Sequence, residues 1–398
     1  MLRLSPGAAH RRGSRRAALV ALSAGQFISW GTLYYGITFI AAPIRQETDW
    51  GLARIFGAYS LALLIAAIAT PYVGHLIRQH GGRAVMASGS IIASLALLII
   101  SSSKDFIAFQ CGWLLAGIAM AMTLYEAAFS TLREIDGLHF KRGISFITIV
   151  GGLASTLFWP LTAWLVDELG WRLALLVYAA MHLLICFPLH TSLHAKPQGD
   201  AIKAHGRSPL ASNKRTIVLL AAAFALAAIA TAAIASHAQL LMAYKNIPAD
   251  MAMLALTLIG PMQVAGRMLE LGIAHRLDTA SIGIIALCTL SCSLALLLYM
   301  DNQAWLVFGF AVLYGLSNGV MTVVRGAIVA ELFDKHLYAT ILAAISTPAM
   351  LARALGPLLI AMVISAVDMD LALRLLAFLM LLACGLYWYA TMANRSRF

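Results

Sequence analysis

Residues 254–271 have the sequence LALTLIGPMQVAGRMLEL, and this stretch decides the class of the protein. It is apolar and belongs to a run long enough to cross a bilayer, for which a helix needs about 20 residues. It nevertheless contains an arginine, Arg267, well inside the run. An ionised side chain within a membrane helix costs roughly 3 kcal/mol or more, so it normally faces a bundle interior or a water-filled cavity. Arg267 is therefore the first candidate functional residue.

The composition of the whole chain agrees with a membrane protein. Of the 398 residues, 61% are hydrophobic and 11% are charged, whereas a soluble domain carries about 25% charged residues. The net charge of +11 would suggest a nucleic-acid partner in a soluble protein, but here the basic residues flank apolar runs and we expect no such partner. The five cysteines lie in apolar runs without ligand spacing, so we expect neither a metal site nor a disulfide.

Twelve apolar runs are long enough to span the bilayer. None shows the ten-residue alternation of a barrel strand, so all are predicted to be helices of an all-α membrane protein. The first run follows the basic residues 11–16 and continues for about 25 residues without a cleavage site, so it is interpreted as a span. The runs are 17–42, 52–77, 83–103, 105–133, 142–167, 171–192, 215–243, 250–274, 279–300, 303–330, 337–365 and 370–393.

One long polar connection divides the runs into two sets of six. The predicted organisation is a basic cytoplasmic N-terminus, a six-helix bundle, a linker, a second six-helix bundle and a tail. These segments are 1–16, 17–192, 193–214, 215–393 and 394–398. With the N-terminus inside, 19 basic residues lie on the cytoplasmic side and 6 on the other. The positive-inside rule therefore places both termini in the cytoplasm.

The two halves repeat each other at a spacing of 198 residues. Gly74 and Arg78, which close the second span, match Gly272 and Arg276, which close the eighth. In the fourth and tenth spans, the matching pairs are Gly117 with Gly315 and Asp136 with Asp334. Two similar halves are typical of secondary transporters, which work by alternating access around a site at the bilayer midplane.

Twelve spans in two repeats with a basic central loop resemble the major facilitator superfamily. The loop sequence at 74–83, GHLIRQHGGR, is similar to that superfamily's G-x-L-x-D-R-x-G-R-R/K signature. It differs at the acidic position, which is Arg78 here, so the resemblance does not carry over an aspartate that holds the outward-facing state. The first span and its loop, with Tyr35, Pro43 and the sequence ETDWG at 47–51, resemble the monocarboxylate and oxalate/formate branch. The sequence GWR at 170–172 agrees with that branch.

That resemblance implies two cations, in the eighth and eleventh spans, that bind a carboxylate. Arg267 and Arg353 occupy those spans, and Arg353 lies about 3 Å from the midplane at ~1.5 Å of rise per residue. Arginine suits this role because its planar fork bonds both carboxylate oxygens and stays charged. The sequences GP at 260–261 and 356–357 predict helix breaks beside both arginines. Tyr34, Tyr35 and Gln263 are further candidates for substrate binding. The alternative for each arginine is a structural charge network.

Four other charged residues are candidates for coupling or gating. Glu126 in the fourth span is predicted either to carry a proton or to form a gating pair with Arg325 in the tenth, with a structural role as the alternative. Glu270 lies one turn from Arg267, where the two can pair along the helix. Arg78 belongs to the signature loop. The three deep arginines outnumber Glu126 and Glu270 by one, which favours an anionic substrate.

The sequence lacks a phosphate-binding G-x-x-x-x-G-K-S/T run, which argues against an ATP-driven pump. It also lacks a nucleophile motif, so we expect no enzyme activity and no cofactor. We expect a monomeric secondary transporter of a small organic anion in the lipid bilayer of a bacterial inner membrane, coupled to protons or to exchange. The alternatives are an exporter of drugs, a metallophore or a metalloid, and a non-transporting membrane sensor or scaffold.

Overall fold

The computed structural model describes residues 6–135, 140–193, 214–273, 276–300, 303–333 and 338–395. Every regular element in these ranges is a helix, which confirms the predicted all-α class. The linker predicted at 193–214 and the repeated Asp136 and Asp334 fall largely or wholly outside the described residues. Mean hydropathy is +0.85 over the chain, and the helices carry almost all of its apolar residues.

Fifteen α-helices and two π-helical segments make up the described chain. The first π-helical segment is Trp30–Tyr35 and the second is His182–Cys186. The α-helices are α1 Pro6–Ser29, α2 Ile37–Thr48, α3 Leu52–His80, α4 Gly82–Ser102, α5 Phe106–Thr123, α6 Tyr125–Ile135, α7 Phe140–Gly152, α8 Ala154–Met181, α9 Phe187–Thr191, α10 Lys214–Tyr244, α11 Ala249–Ile273, α12 Thr279–Tyr299, α13 Leu306–Leu332, α14 Tyr338–Ala366 and α15 Met369–Arg395.

Eleven helical runs in the described ranges are long and apolar enough to cross a membrane. One of them, Gly143–Thr191, has 49 residues. At ~1.5 Å per residue it extends about 74 Å, more than twice the ~30 Å of a bilayer's hydrocarbon. It is interrupted at Gly170, whose φ of 78° is not helical. This run therefore contains the predicted fifth and sixth spans, and the twelve-span prediction is confirmed.

The chain forms two compact units. Unit 1 comprises Met1–Gly36, Leu61–Ala154 and Leu161–His205, as far as these are described. Its core includes Leu22, Met86 and Leu132, which are at most 1% exposed. Unit 2 comprises Ile37–Ser60, Ser155–Pro160 and Gly206–Phe398. Within unit 2, α10 packs against α14 and α15, while α13 packs against α11 and α12.

An equivalent hydrogen bond in each of the two halves supports the repeat that relates them. In unit 1, the Gly82 N–H at the start of α4 donates to Glu134 Oε2 at 2.9 Å. In unit 2, the Thr279 N–H at the start of α12 donates to Glu331 Oε2 at 3.0 Å. Each bond joins residues 52 apart in the chain. A carboxylate at a helix N-terminus satisfies an unpaired N–H and complements the helix dipole, so both halves use the same device.

The repeated glycines Gly117 and Gly315 also have equivalent contacts. A Cβ on Gly117 would lie 2.3 Å from the Ala62 carbonyl oxygen, and one on Gly315 would lie 2.7 Å from that of Ile259. Both glycines thus allow two spans of one half to approach until their backbones meet, as small residues do at membrane helix interfaces. The contacts give the sequence repeat a physical reason.

The loop between the fifth and sixth spans is held by Arg172. Its Nη1 donates to the carbonyls of Ser101 at 2.6 Å and Ser103 at 2.8 Å. These carbonyls end α4, where the last turn of a helix lacks intrahelical partners. The guanidinium carbon also lies 4.3 Å from the centre of the Trp171 ring. Arg172 therefore caps the C-terminal end of α4 in unit 1.

The cysteines are free thiols. Two of them, however, meet across neighbouring helices, with the Sγ atoms of Cys288 and Cys384 at 3.5 Å. The sequence did not predict this approach, because the pair lies 96 residues apart on α12 and α15.

Candidate functional site

Three predicted site residues share one buried face of α11. Gln263, Arg267 and Glu270 are 5%, 8% and 8% exposed, and their spacing of four and three residues puts them on the same side of a helix. The face packs against α13, where a Cβ on Gly319 would lie 2.1 Å from the Gln263 carbonyl oxygen. A charged side chain thus lies at a close helix–helix contact in unit 2.

Arg267 is oriented by Thr322 of α13. The Arg267 Nε lies 3.3 Å from Thr322 Oγ1. The Thr322 hydroxyl donates its own hydrogen to the Gly319 carbonyl at 2.7 Å, so its lone pairs are available to accept from the guanidinium. Thr322 was not among the predicted site residues. The spacing of Gly315, Gly319 and Thr322 on one face of α13 is the signal that points to it.

The expected pair between Arg267 and Glu270 is not made through Glu270 Oε2. This oxygen is buried and has no hydrogen-bond partner among the described residues. The physical reason is that Arg267 Nε is directed at α13, where Thr322 lies. Glu270 instead faces an apolar cavity in unit 2.

Arg353 lies half-buried on α14 in unit 2. No described residue forms a hydrogen bond or an ion pair with its side chain. Pro357, four residues later, has no N–H to donate to the Arg353 carbonyl. The next N–H, that of Leu358, donates to Ser60 Oγ at 3.0 Å. A second candidate cation therefore lies one turn from a proline.

The helix breaks expected beside the two arginines are not found. Both α11 and α14 run without interruption through Pro261 and Pro357. The neighbouring Gly356 serves packing instead, since a Cβ there would lie 2.6 Å from the Ile229 carbonyl oxygen of α10. The prediction of unwound helices was wrong, and in α14 the glycine provides a helix contact rather than a break.

An aromatic cluster in unit 1 contains both predicted tyrosines. Tyr34 is buried and Tyr35 half-buried, and their ring centroids are 5.1 Å apart. Trp30 lies 4.9 Å from Tyr34 and 4.9 Å from Tyr125 of α6. Tyr125 in turn stacks on Phe129 at 5.3 Å. The π-helical segment Trp30–Tyr35 changes the helical register, and such segments are frequent at functional sites.

The coupling candidates lie in different parts of the chain. Glu126 is exposed in the first turn of α6, directly after the extended Leu124 that ends α5. Arg325 is half-buried on α13 in unit 2. Arg78 is exposed near the end of α3, with its Nη2 3.2 Å from Nδ1 of His75. The pair between Glu126 and Arg325 stays a prediction.

The family model of the Major Facilitator Superfamily matches residues 22–313. The chain belongs to the Major Facilitator Superfamily. It is accordingly an integral, multi-pass membrane protein of a transporter family rather than an enzyme family.

Individual relatives of this superfamily member include monocarboxylate transporters, as the sequence resemblance predicted. Human monocarboxylate transporter 11 is 30% identical over 198 residues, which are 49% of this chain and 40% of that protein. The matched segment thus spans about two fifths of that relative. Rat monocarboxylate transporter 13 is 28% identical over 172 residues, 42% of this chain and 38% of that protein. The prediction that the chain is related to monocarboxylate transporters is confirmed.

Solved structures of low identity share the fold of this superfamily member. A bacterial homologue of the human lysosomal transporter Spinster, in an inward-facing and unoccupied conformation, has a TM-score of 0.74 at 14% identity and covers 96% of this chain and 98% of its own. The nucleoside transporter NupG has a TM-score of 0.73 at 16% identity, with 95% and 99% coverage. These likenesses concern the fold alone.

Within unit 2, residues 37–60 of this Major Facilitator protein contact α10 and α14. The Phe56 ring stacks on His237 with centroids 3.9 Å apart, and Thr38 Oγ1 donates to the Ala235 carbonyl at 2.8 Å. Ser60 accepts from Leu358, as described above. We call these three contacts the outer contacts, because the positive-inside rule places them on the non-cytoplasmic side. They join the first two spans to the seventh and eleventh.

Two buried histidines in unit 1 were not predicted as site residues. His182 Nε2 lies 2.8 Å from Thr32 Oγ1, and His190 Nδ1 lies 2.7 Å from Ser90 Oγ. Each ring is fully buried, and its other nitrogen has no hydrogen-bond partner in the described ranges. Their hydroxyl partners lie on the first and third spans, so these contacts hold the sixth span in place. No group of three metal-ligating side chains is found in the parts that the structure describes.

Proposed function

We propose that the protein is a secondary active transporter of a small organic anion, most simply a carboxylate, and that Arg267 and Arg353 contact it. The observation that carries the proposal is the buried guanidinium of Arg267, which is 8% exposed and oriented by the Thr322 hydroxyl. The relationship to monocarboxylate transporters supports the same substrate class.

A charged side chain in hydrocarbon carries a large free-energy cost. An arginine at this depth costs roughly 3 kcal/mol or more, so it persists where it has a function or a counterion. A carboxylate supplies two oxygens in the plane of the guanidinium fork, which makes two parallel charge-assisted hydrogen bonds. Because Thr322 accepts from Nε, it fixes the plane of the fork at which a carboxylate arrives.

The remaining candidates complete the proposed transport cycle. Gln263, one turn before Arg267, and the hydroxyls of Tyr34 and Tyr35 supply polar contacts to the anion. Glu126 takes up a proton or forms a gating pair with Arg325, and Arg78 acts at the cytoplasmic end of α3. Alternating access of the two six-helix halves then moves the anion, driven by proton symport or by exchange. We place this monomeric carrier in a bacterial inner membrane.

Uptake into proteoliposomes tests the proposal. Radiolabelled lactate, oxalate, choline and glucose are offered separately to vesicles that contain the purified protein or none. We expect protein-dependent uptake of at least one of the two carboxylates and none of choline or glucose. An inward proton gradient accelerates this uptake under symport, whereas preloaded cold anion accelerates it under exchange. Uptake of choline without either carboxylate would overturn the anion assignment.

A further inference from the structure

A small cavity in unit 2 opens between α11, α12 and α13. Its volume is about 170 Å³, comparable with the ~150 Å³ of an apolar cavity that holds benzene. Its rim includes Leu269 and Ile285, which are 52% and 54% exposed. Both residues lie inside helices that are long and apolar enough to cross a membrane. The mouth of the cavity therefore lies at membrane depth. A ligand of this cavity therefore needs an apolar body of about the size of benzene.

In the described part of the chain, one polar group in the cavity wall has an oxygen without a hydrogen-bond partner. The hydroxyl of Ser317 donates to the Ala286 carbonyl at 2.6 Å, and that of Thr289 donates to the Ile285 carbonyl at 2.8 Å. Glu270 also lines the cavity and is 8% exposed, and its Oε2 has no hydrogen-bond partner among the residues that the structure describes. The other lining side chains are aliphatic. A carboxyl oxygen without a partner in apolar surroundings is costly, and a donor placed beside it removes that cost.

We infer that this cavity binds a small lipophilic amine, with its ammonium group on Glu270 and its hydrocarbon body against α12 and α13. The Glu270 carboxylate selects a positively charged ligand, because an ammonium group supplies both a positive charge and hydrogen-bond donors. The aliphatic wall selects the apolar body. A carboxylate ligand is excluded, since it would place a second negative charge against Glu270. The site is therefore distinct in charge from the proposed anion contacts of Arg267 and Arg353.

Direct binding to the purified protein tests this inference without any transport assay. The probes are n-hexylamine, n-hexanol and hexanoate, and saturation-transfer NMR in nanodiscs measures their binding. Two variants address the two parts of the site. Glu270→Gln keeps the shape of the side chain and removes its charge, while Ala286→Phe fills the cavity. The matched control is Asp250→Asn, which removes an exposed acidic group from the same helix.

We expect saturable binding of hexylamine that weakens at least about tenfold in Glu270→Gln and disappears in Ala286→Phe. Hexanol binds more weakly and is unaffected by Glu270→Gln, hexanoate does not bind, and Asp250→Asn behaves as the parent protein. Hexylamine binding that is equal in the parent protein and Glu270→Gln would overturn the assignment of an amine. Binding that survives Ala286→Phe would overturn the assignment of the cavity. This experiment measures binding and not transport, so a negative result would leave the proposed anion transport unaffected. Likewise, failure of the transport assay would leave the inferred amine site unaffected.

Discussion

At the scale of single residues, the Thr322 hydroxyl contributes to the orientation of Arg267. Thr322 donates to the Gly319 carbonyl and accepts from the Arg267 Nε. This arrangement leaves the hydroxyl with its hydrogen turned away from the cation. A hydrogen bond to a charged group contributes about 1.5–3 kcal/mol. We propose that this bond holds the guanidinium in the plane that a carboxylate needs.

Replacement of Thr322 tests the orientation of the Arg267 guanidinium without changing its charge. Thr322→Val keeps the shape of the side chain and removes the acceptor, so the KM for the transported carboxylate is expected to rise about tenfold, corresponding to ~1.4 kcal/mol. Thr322→Ser keeps the hydroxyl and is the matched control, with a KM within about twofold of the parent protein. The kinetics of uptake into proteoliposomes measure both values. Equal KM values for the valine and serine variants would show that Thr322 does not position Arg267.

Arg267 is predictable from sequence because a charge in an apolar run stands out at once. Thr322 is not, because its relation to Arg267 depends on how α13 is placed against α11. Glu134 and Glu331 were missed for a similar reason, since each binds an N–H 52 residues away in the chain. Side chains whose partner lies on another helix need the packing to be known first.

At the scale of helices, glycines set the distance between α11 and α13. A Cβ on Gly266 would lie 2.3 Å from the Leu316 carbonyl oxygen, whereas nothing lies within 4 Å of a Cβ on Gly272 of the same helix. The two glycines are six residues apart in identical secondary structure. Gly266 is thus required by packing, and Gly272 is not.

Alanine substitution at these two positions gives a matched pair. Gly266→Ala forces α11 away from the α13 backbone, and such overpacking costs about 1–3 kcal/mol, so the melting temperature in detergent is expected to fall. Gly272→Ala gains helix propensity of up to about 1 kcal/mol, and its melting temperature is expected to equal or exceed that of the parent protein. Thermal unfolding of the two variants side by side decides the matter. A stable Gly266→Ala protein would contradict the close contact of α11 with α13.

The sequence pattern predicted the helices better than their irregularities. Apolar length placed all twelve spans, but Pro261 and Pro357 were expected to break helices that remain continuous. The π-helical segments Trp30–Tyr35 and His182–Cys186 were not expected. Neither feature follows from apolar length, because the regularity of a helix at such a position also depends on how neighbouring helices pack against it.

At the scale of the whole molecule, the repeat predicts two halves, yet residues 37–60 of the first half belong to unit 2. The outer contacts account for this, because they bind the ends of the first two spans to α10 and α14. Hydrophobic periodicity does not predict such contacts, because each joins residues that lie far apart in the chain. Under the alternating access that we propose, these contacts must break before the non-cytoplasmic side opens.

Loss of the Phe56 ring is expected to open this side. In a variant without the five native cysteines, Ala235→Cys places a thiol at the outer contacts, where Ala235 is 9% exposed. Adding Phe56→Ala removes the stack on His237, and labelling by a membrane-impermeant maleimide is expected to accelerate about fivefold or more, since an aromatic pair contributes ~0.5–1.5 kcal/mol beyond its buried area. Tyr72→Ala, on the same helix α3 and 70% exposed, is the control. Identical labelling in all three proteins would contradict a role of Phe56 in closing this side.

The central claim is that Arg267 and Arg353 bind the transported anion, and the initial rate of carboxylate uptake by the Arg267→Ala, Arg353→Ala double variant tests it most directly. Loss of a buried charged partner costs about 2–5 kcal/mol, so uptake is expected to fall at least about 30-fold. The control variant Arg374→Ala, which removes an exposed arginine of α15, is expected to retain the parent rate, and circular dichroism confirms that both variants are folded. Carboxylate uptake by the folded double variant at the rate of the parent protein would contradict the account.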